Sequence, residues 1–178
     1  MRKLFFLFLA LTMGTALWAN RIIYTASEAI SPNAGAFDAI IQSHAFSNNK
    51  GIIEFSGDVY MIGAGAFSDC SEMTSITLPN TIKAIGMNAF SNYNKLASIT
   101  FPNSVTDIAD RAFDNCSGLT SVKFEGTACQ YAIDTDAFWG IGSPSPIELI
   151  LPDDWNYDAA PADNSTAWHG CYFNSNFY

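Results

Sequence analysis

The chain has 178 residues, which is the usual length of a single domain. Hydrophobic residues make up 49% of the sequence and charged residues 14%, and this balance excludes a disordered chain. The net charge is −9, with only eight Lys and Arg residues. This charge argues against nucleic acid and anionic membrane surfaces as partners, because both are bound by basic surfaces.

The first 19 residues have the pattern of a secretory signal peptide. Arg2 and Lys3 precede an uncharged apolar run from Leu4 to Leu11, as a basic n-region precedes an apolar h-region. Small residues in the range 14–19 offer cleavage sites, and the apolar run is too short to span a bilayer. A buried N-terminal helix is the alternative interpretation. We expect an exported chain without a membrane span, located outside the cell, at its surface or in the periplasm.

An internal repeat with a period of 23 residues is the main feature of the chain, and its clearest units are 59–78, 82–101 and 105–124. Each unit has aliphatic residues at its first and fourth positions, Ala-Phe at the eighth and ninth, and further apolar residues near its end. One unit cannot bury its apolar side alone, whereas stacked units bury it against each other. The pattern therefore predicts a solenoid with one internal row of rings, formed by Phe46, Phe67, Phe90, Phe113 and Phe138.

Two weaker units flank the three clear ones, which predicts about five coils with atypical ends. The upstream unit, 41–55, has two residues fewer after its Phe, and the downstream unit, 133–151, has two more. Polar and apolar residues alternate near the end of each central unit, as in Ser98–Phe101, before a Pro such as Pro102. This alternation predicts half-buried, parallel strands that stop at the Pro. The Ala-Phe segment is predicted to be either a short helical turn or a second strand.

The repeat motif I-x-x-I-G-x-x-A-F-x-x-C-x-x-L-x-x-I-x-L-P resembles the bacterial surface leucine-rich repeat of the BspA-like, treponemal type, over residues 38–152. The resemblance implies a leucine-rich-repeat solenoid that is secreted or displayed on the surface and that acts in adhesion to a host or bacterial surface. The expected domain plan is a signal peptide at 1–19, a lead-in at 20–37, the repeat domain at 38–152, and an aromatic C-terminal cap at 153–178.

The four Cys residues fall into two pairs. Cys70 and Cys116 occupy the same repeat position two units apart, which places them about 10 Å from each other. A disulfide needs Cα atoms closer than about 7 Å, so both are predicted to be buried thiols. Cys129 and Cys171 lie in the last unit and the tail. Export permits a disulfide between them that would pin the tail over the last coil, and the sequence leaves both states open.

Patterns for catalysis and metal binding are weak in this sequence. His44 and His169 lie at opposite ends of the chain, and no Cys-x-x-Cys spacing occurs. A zinc site and a nucleophile–base pair are therefore not expected. Residues 154–158 resemble the first half of a calcium loop, but Ala159 stands where the loop requires Gly. We expect a binding protein rather than an enzyme, with no catalytic residue, metal or cofactor.

Two surfaces are candidates for binding. The tail contains Trp155, Trp168 and five Tyr or Phe residues, and it is either a cap or an aromatic platform for sugar or peptide. The outward face of the main sheet is either a solvated surface or a flat, weakly charged contact surface for protein or glycan. We expect this face to bind a protein on a host or bacterial surface; the alternative is a carbohydrate-binding accessory protein that uses the tail. The predicted outward positions are Ile52, Glu54, Ser75, Thr77, Ser98, Thr100, Ser121, Lys123, Glu148 and Ile150, with Thr77, Thr100 and Lys123 as the central row.

Overall fold

A computed structural model describes residues 20–68, 70–126, 132–134, 136–141, 148–150, 167–168 and 171–172. These residues form β-strands and turns, with a 3-10 turn at Ala34–Ala36 and no α-helix. The strands are β1 (Arg21–Ala26), β2 (Ile41–Ser47), β3 (Lys50–Phe55), β4 (Met61–Ile62), β5 (Met73–Thr77), β6 (Ala84–Ile85), β7 (Ser98–Phe101), β8 (Asp107–Ile108), β9 (Ser121–Phe124), β10 (Ala132–Ile133), β11 (Glu148–Ile150), β12 (Ala167–Trp168) and β13 (Cys171–Tyr172).

An antiparallel sheet with the strand order β2–β3–β1–β5 lies at the N-terminal end of the repeats, and its last strand, β5, belongs to the first regular unit. The turn between β2 and β3 consists of Asn48 and Asn49, with φ of 51° and 61°. Asn tolerates this left-handed conformation, and two such residues in succession match the twist of a hairpin. β1 pairs with β3 on one side and with β5 on the other. The sheet thus connects the hairpin directly to the first regular coil.

This sheet overturns the prediction for the segment around Phe46. The segment was expected to be the first parallel coil, but β2 and β3 are antiparallel. Phe46 is half-buried and stacks on Tyr24 with 6.0 Å between the ring centroids, away from the internal row. Phe37 takes the predicted place, because its ring packs edge-on against that of Phe67 at 5.6 Å. The apolar spacing of the segment suits a hairpin as well as a coil, so spacing alone did not distinguish them.

The regular coils form two parallel sheets. The short strands β4, β6, β8 and β10 form one sheet, and β7, β9 and β11 form the other. Pairing follows the repeat in both, since Ile62 lies opposite Ile85 and Ile85 opposite Ile108. The predicted parallel pairing is confirmed for these strands, and each coil adds a buried Ile of the short strand to the core.

The Ala-Phe segments are turns that follow the short strands, so neither a helix nor a strand is formed there. Their backbone takes positive φ at the seventh and eleventh repeat positions, a conformation that Gly and Asn adopt most easily. The residues with this conformation in the turns are Gly65, Asn88, Asn92, Arg111, Asn115 and Gly140.

Backbone hydrogen bonds join neighbouring coils along the turns and at the ends of the short strands. In the turns, the earlier coil donates to the later one: Phe67 N–H donates to Ala89 O at 3.0 Å, and Phe90 N–H to Ala112 O at 2.8 Å. At the ends of the short strands the direction is reversed, since Gly86 N–H donates to Ile62 O at 2.7 Å. The turns therefore satisfy part of their backbone hydrogen-bonding capacity through the next coil rather than through water.

The internal row of rings is confirmed for Phe67, Phe90, Phe113 and Phe138. Successive ring centroids are 5.2, 5.1 and 5.1 Å apart, and the interplanar angles are 17°, 7° and 9°. All four side chains are buried. Near-parallel rings at this spacing match the offset stacking that aromatic pairs prefer. One ring per coil therefore forms a continuous column through the core.

Two glycines allow neighbouring turns of the chain to approach closely. A Cβ atom on Gly86 would lie 2.6 Å from the backbone of Gly63 and Ala64, and one on Gly63 would lie 2.5 Å from Ala36 O. A Cβ atom never approaches another heavy atom so closely, so these positions need a residue without a side chain.

Some predictions fall outside the described residues. They include the signal peptide at 1–19 and nearly all of the tail, of which only β12 and β13 are described, as an antiparallel pair with Trp168 opposite Cys171. The division of the chain into domains stays a prediction. In the part of the chain that the structure describes, no helix has the length and apolar character needed to cross a membrane.

Candidate functional site

The predicted binding face lies on the sheet β7–β9–β11. Ile99 and Val122 point into the core, and the residues on either side of them are half-buried or exposed, as the alternation predicted. Small hydroxyl side chains occupy β7 and half of β9, so the face is shallow there. Two outward rows cross the sheet, Ser98–Ser121–Glu148 and Thr100–Lys123–Ile150.

β5, which carries Ser75 and Thr77, does not belong to this sheet. It is hydrogen-bonded to β1, and Thr77 lies opposite Ile23. The predicted central row is paired as expected at Thr100 and Lys123, whereas Thr77 borders the same cleft as Thr100 without a hydrogen-bonded ladder between their strands. β1 pairs with one edge of β5 in an antiparallel ladder, and no ladder joins β5 to β7.

Two clefts lie on either side of the end of β5, one toward the parallel sheet and one toward β1. Both border Thr77, Leu78 and Asn80, which form a ridge between them. One has a volume of about 290 Å³ and is lined further by Ile76, Thr100, Pro102 and Glu125. The other has a volume of about 200 Å³ and is lined further by Arg21, Ile23 and Pro79. The face is thus less flat than the sequence predicted, and it offers mixed polar and apolar recesses.

Charged side chains near the clefts form ion pairs. Arg21 lies 2.7 Å from Glu54, and Lys123 lies 3.4 Å from Glu125. All four side chains are partly exposed, so these pairs contribute little to the free energy of folding. Their charges offset each other, which leaves this face with a weak field despite the overall charge of −9.

His44 and Tyr24 form the clearest polar pair in the antiparallel sheet. His44 Nε2 and Tyr24 Oη are 2.8 Å apart, and Tyr24 Oη also accepts a hydrogen bond from Ile30 N–H at 3.3 Å. Desolvation lowers the pKa of His44 and raises the pKa of Tyr24. Tyr24 O–H donates a hydrogen bond to the neutral imidazole, and with the pKa of His44 lowered and that of Tyr24 raised, both groups are uncharged near neutral pH. The pair is a structural contact between β1 and β2.

The two thiols of the repeats are buried, as predicted, and no disulfide joins them. Cys116 Sγ–H donates to Phe90 O of the preceding coil at 2.9 Å. Tyr93, at the same repeat position one coil earlier, donates in the same way to Phe67 O at 2.7 Å. Burial raises the pKa of Cys116 to about 12, so its thiol is not a nucleophile at neutral pH. The side chains of Tyr93 and Cys116 at this repeat position thus form hydrogen bonds between neighbouring coils.

Several candidate sites of the tail and its surroundings stay predictions. Trp155, Cys129 and the half calcium loop at 154–158 lie outside the described residues, and only the backbone of Trp168 is described. The described ranges contain no group of three or more His, Cys, Asp or Glu residues that could hold a metal ion. The binding roles expected for Ser75, Thr77, Ser98, Thr100, Ser121 and Lys123 also stay predictions.

Three residues that shape the clefts, Arg21, Asn80 and Glu125, are not identified by the repeat pattern. Arg21 was missed because the lead-in was not expected to pair with a repeat strand. Asn80 and Glu125 follow the ends of strands, and residues just beyond strand ends commonly border binding sites. Their position after the alternating segments was the signal available in the sequence.

Comparisons with known proteins agree with the repeat. A family model described as "BspA type Leucine rich repeat region" matches residues 39–149 with six copies. Among solved structures, the chain is similar to a leucine-rich repeat protein from Bacteroides ovatus, with 28% sequence identity and a TM-score of 0.42. That match covers 65% of this chain and 30% of the other, so the chain spans less than a third of that protein's length. No curated protein matches the chain.

Proposed function

Since the chain belongs to the BspA-type leucine-rich repeat family, we propose that it is an exported, surface-acting module that binds a protein partner through the face formed by β5, β7, β9 and β11. The observation that carries this proposal is the pair of clefts beside Thr77–Asn80. We propose further that the parallel coils continue as one short solenoid and that the protein has no catalytic role.

The shape of the face favours an extended protein segment. The two clefts lie on either side of one ridge, so a segment that crosses the ridge places side chains in both. Leu78 borders both clefts and Ile76 one of them, each as a nearly buried apolar side chain, and Thr100 borders one cleft with a hydroxyl group. Such a mixture is typical of protein contact surfaces, in which apolar anchors are surrounded by polar groups.

The electrostatics of the face favour the same class of partner. The ion pairs Arg21–Glu54 and Lys123–Glu125 leave no cluster of positive charge at the clefts. Phosphate-rich partners need such a cluster. A protein segment of low net charge does not need a cluster of positive charge. Its polar groups can form hydrogen bonds with the Ser and Thr side chains of the outward rows.

Thr100→Arg is the variant that tests the proposal. A long charged side chain at the cleft rim should obstruct a bound segment, while the half-buried position lets the side chain reach solvent and leaves the fold intact. The probe is a library of phage-displayed random peptides selected on the chain from residue 20. Peptides selected on the unchanged chain should bind Thr100→Arg at least about tenfold more weakly.

Thr106→Arg is the matched control, because Thr106 is a half-buried Thr next to β8, in the other parallel sheet. Its peptide binding should equal that of the unchanged chain, and thermal melts should show that both variants fold. The proposal is wrong if no peptide is selected, or if the selected peptides bind Thr100→Arg and Thr106→Arg equally.

A further inference from the structure

A second recess lies on the turns, outside the sheet face of the proposed function. It is an open groove of about 540 Å³ that crosses the turns of three successive coils. Its lining is mainly polar and uncharged, with one carboxylate and one thioether. The lining side chains that matter here are Ser68, Met87, Asn88, Ser91, Asn92 and Asp114.

Ser91 is the buried polar residue of this groove. Its residue is 6% exposed, and its hydroxyl group has no hydrogen-bond partner among the residues that the structure describes. The equivalent Ser68, one coil earlier, donates to Gly65 O at 3.2 Å. A hydroxyl group at the lining of a groove that has no partner in the protein is available to donate and accept hydrogen bonds with water or with a ligand.

Asp114 lies at the same repeat position as Ser91 in the next coil. One carboxylate oxygen, Oδ2, accepts a hydrogen bond from Asn115 Nδ2 at 3.1 Å, and Oδ1 has no partner among the described residues. The side chains of Asn88 and Asn92 add amide donors and acceptors at the groove. The groove therefore combines a carboxylate acceptor with several neutral groups that both donate and accept.

Trp139 continues this row of positions by one more coil. Its backbone is next to Asp114, because Asn115 N–H donates to Trp139 O at 2.8 Å. The Trp139 side chain is 57% exposed, and Met87 in the groove is 49% exposed. Trp139 lies one coil beyond the residues that line the groove, so its exposed indole offers a broad apolar face to an oligosaccharide that extends from the groove along the turns. Ser68, Ser91, Asp114 and Trp139 thus form one line across four coils.

We propose that this groove binds a neutral oligosaccharide. Sugar hydroxyls are both donors and acceptors, which matches Ser91, Asp114 and the Asn amides, and the apolar face of a hexose ring matches the exposed face of Trp139. Acidic glycans are disfavoured, because Asp114 and the net charge of −9 repel them. The groove is separate from the clefts at Thr77–Asn80. A negative result for oligosaccharide binding in the groove therefore does not affect the proposed protein binding at the clefts.

Calorimetric titration of the chain from residue 20 tests the proposal. The probes are linear oligosaccharides of β-1,4-glucose, β-1,4-mannose and α-1,4-glucose, with an oligogalacturonate of equal length as the acidic comparison. At least one neutral probe should bind, and the oligogalacturonate should not. Trp139→Ala and Asp114→Ala should each weaken that binding by about tenfold or more, whereas Trp139→Tyr should retain most of it.

Asp107→Ala is the matched control, because Asp107 is an exposed carboxylate in the same coil as Asp114 but on the short strand β8. Its affinity, and that of Thr100→Arg, should equal the affinity of the unchanged chain. Three results would overturn the proposal: no neutral probe binds, Trp139→Ala and Asp114→Ala bind as well as the unchanged chain, or the oligogalacturonate binds as tightly as the neutral probes.

Discussion

The N-terminal antiparallel sheet and the regular coils bury aromatic side chains in different ways. In the coils, one ring per unit stacks on the next at 5.1–5.2 Å with nearly parallel planes. In the sheet, alternate residues of β1 and β3 point to one side, where Tyr24 and Phe55 are fully buried. The coil core is therefore a column, and the sheet core is a layer.

The contact between the two regions shows how the column ends. Phe37 meets Phe67 at an interplanar angle of 74° and Phe55 at 55°, instead of lying parallel to them. An edge-on ring covers the face of Phe67 and offers no equivalent face to a further coil. Phe37, which follows the 3-10 turn and precedes β2, thus lies at the N-terminal end of the column, where a repeat protein has an atypical terminal unit.

Phe90→Ala should have the largest effect, because Phe90 lies in the middle of the column with a ring on each side. It should lower the free energy of unfolding by about 3–5 kcal/mol, as measured by urea denaturation. Phe46→Ala is the matched variant in the sheet. Since Phe46 is half-buried and outside the column, its loss should cost only about 1–2 kcal/mol. Equal losses of unfolding free energy for the two variants would show that a ring in the column contributes no more to stability than a half-buried ring outside it.

Gly86→Ala should have an intermediate effect. The added Cβ would lie 2.6 Å from the backbone of the preceding coil, so two coils must move apart, at a cost of about 1–3 kcal/mol. Gly57→Ala is the control in the segment that leaves the antiparallel sheet, because nothing lies within 4 Å of its added Cβ. Its effect on the free energy of unfolding, measured by urea denaturation, should be within about 0.5 kcal/mol. A tolerated Gly86→Ala would mean that coil spacing is not set by close backbone contact.

The smallest effect is expected from the protonation of His44 in the antiparallel sheet. Its folded pKa lies below the unfolded value of about 6.5. Between these pKa values the unfolded state binds more protons, so the free energy of unfolding falls as pH falls from about 6.5 through the folded pKa, and it is constant above that range as far as His44 is concerned.

His44→Gln removes this titration and leaves a side chain whose amide oxygen can accept a hydrogen bond from Tyr24 O–H. The urea midpoint of His44→Gln should therefore change less than that of the unchanged chain when pH is lowered from above to below about 6.5. If lowering the pH changes the urea midpoint of both proteins equally, groups other than His44 are responsible for the loss of stability in acid.

Much of the coil region could be predicted from the sequence, because each structural role recurs at a fixed spacing. The column from Phe67 to Phe138 and the buried thiols Cys70 and Cys116 follow from that spacing alone. The sheet could not be predicted in the same way, since the apolar residues around Phe46 fit a coil and a hairpin equally. Only the local chemistry of Asn48 and Asn49 separates the two, through their tolerance of positive φ.

The candidate sites were predicted less completely than the core. Alternation identified Thr100 and Lys123 as outward neighbours, which depends only on the period of a strand. The clefts depend on the pairing of β5 with β1, a contact between segments far apart in sequence. The groove at Ser91 and Asp114 depends on turn geometry, and the exposure of Trp139 cannot be derived from apolar periodicity, which assigns large side chains to the core.

The opposed directions of the backbone hydrogen bonds in the turns and at the short-strand ends affect the electric field of the stack. In an α-helix all peptide dipoles add, so the two ends carry opposite partial charges. Here Phe90 N–H points to the later coil and Gly86 N–H to the earlier one, so their dipoles oppose each other along the axis. Along these two rows the dipoles therefore cancel in part, so adding coils does not sum them all in one direction as lengthening a helix does.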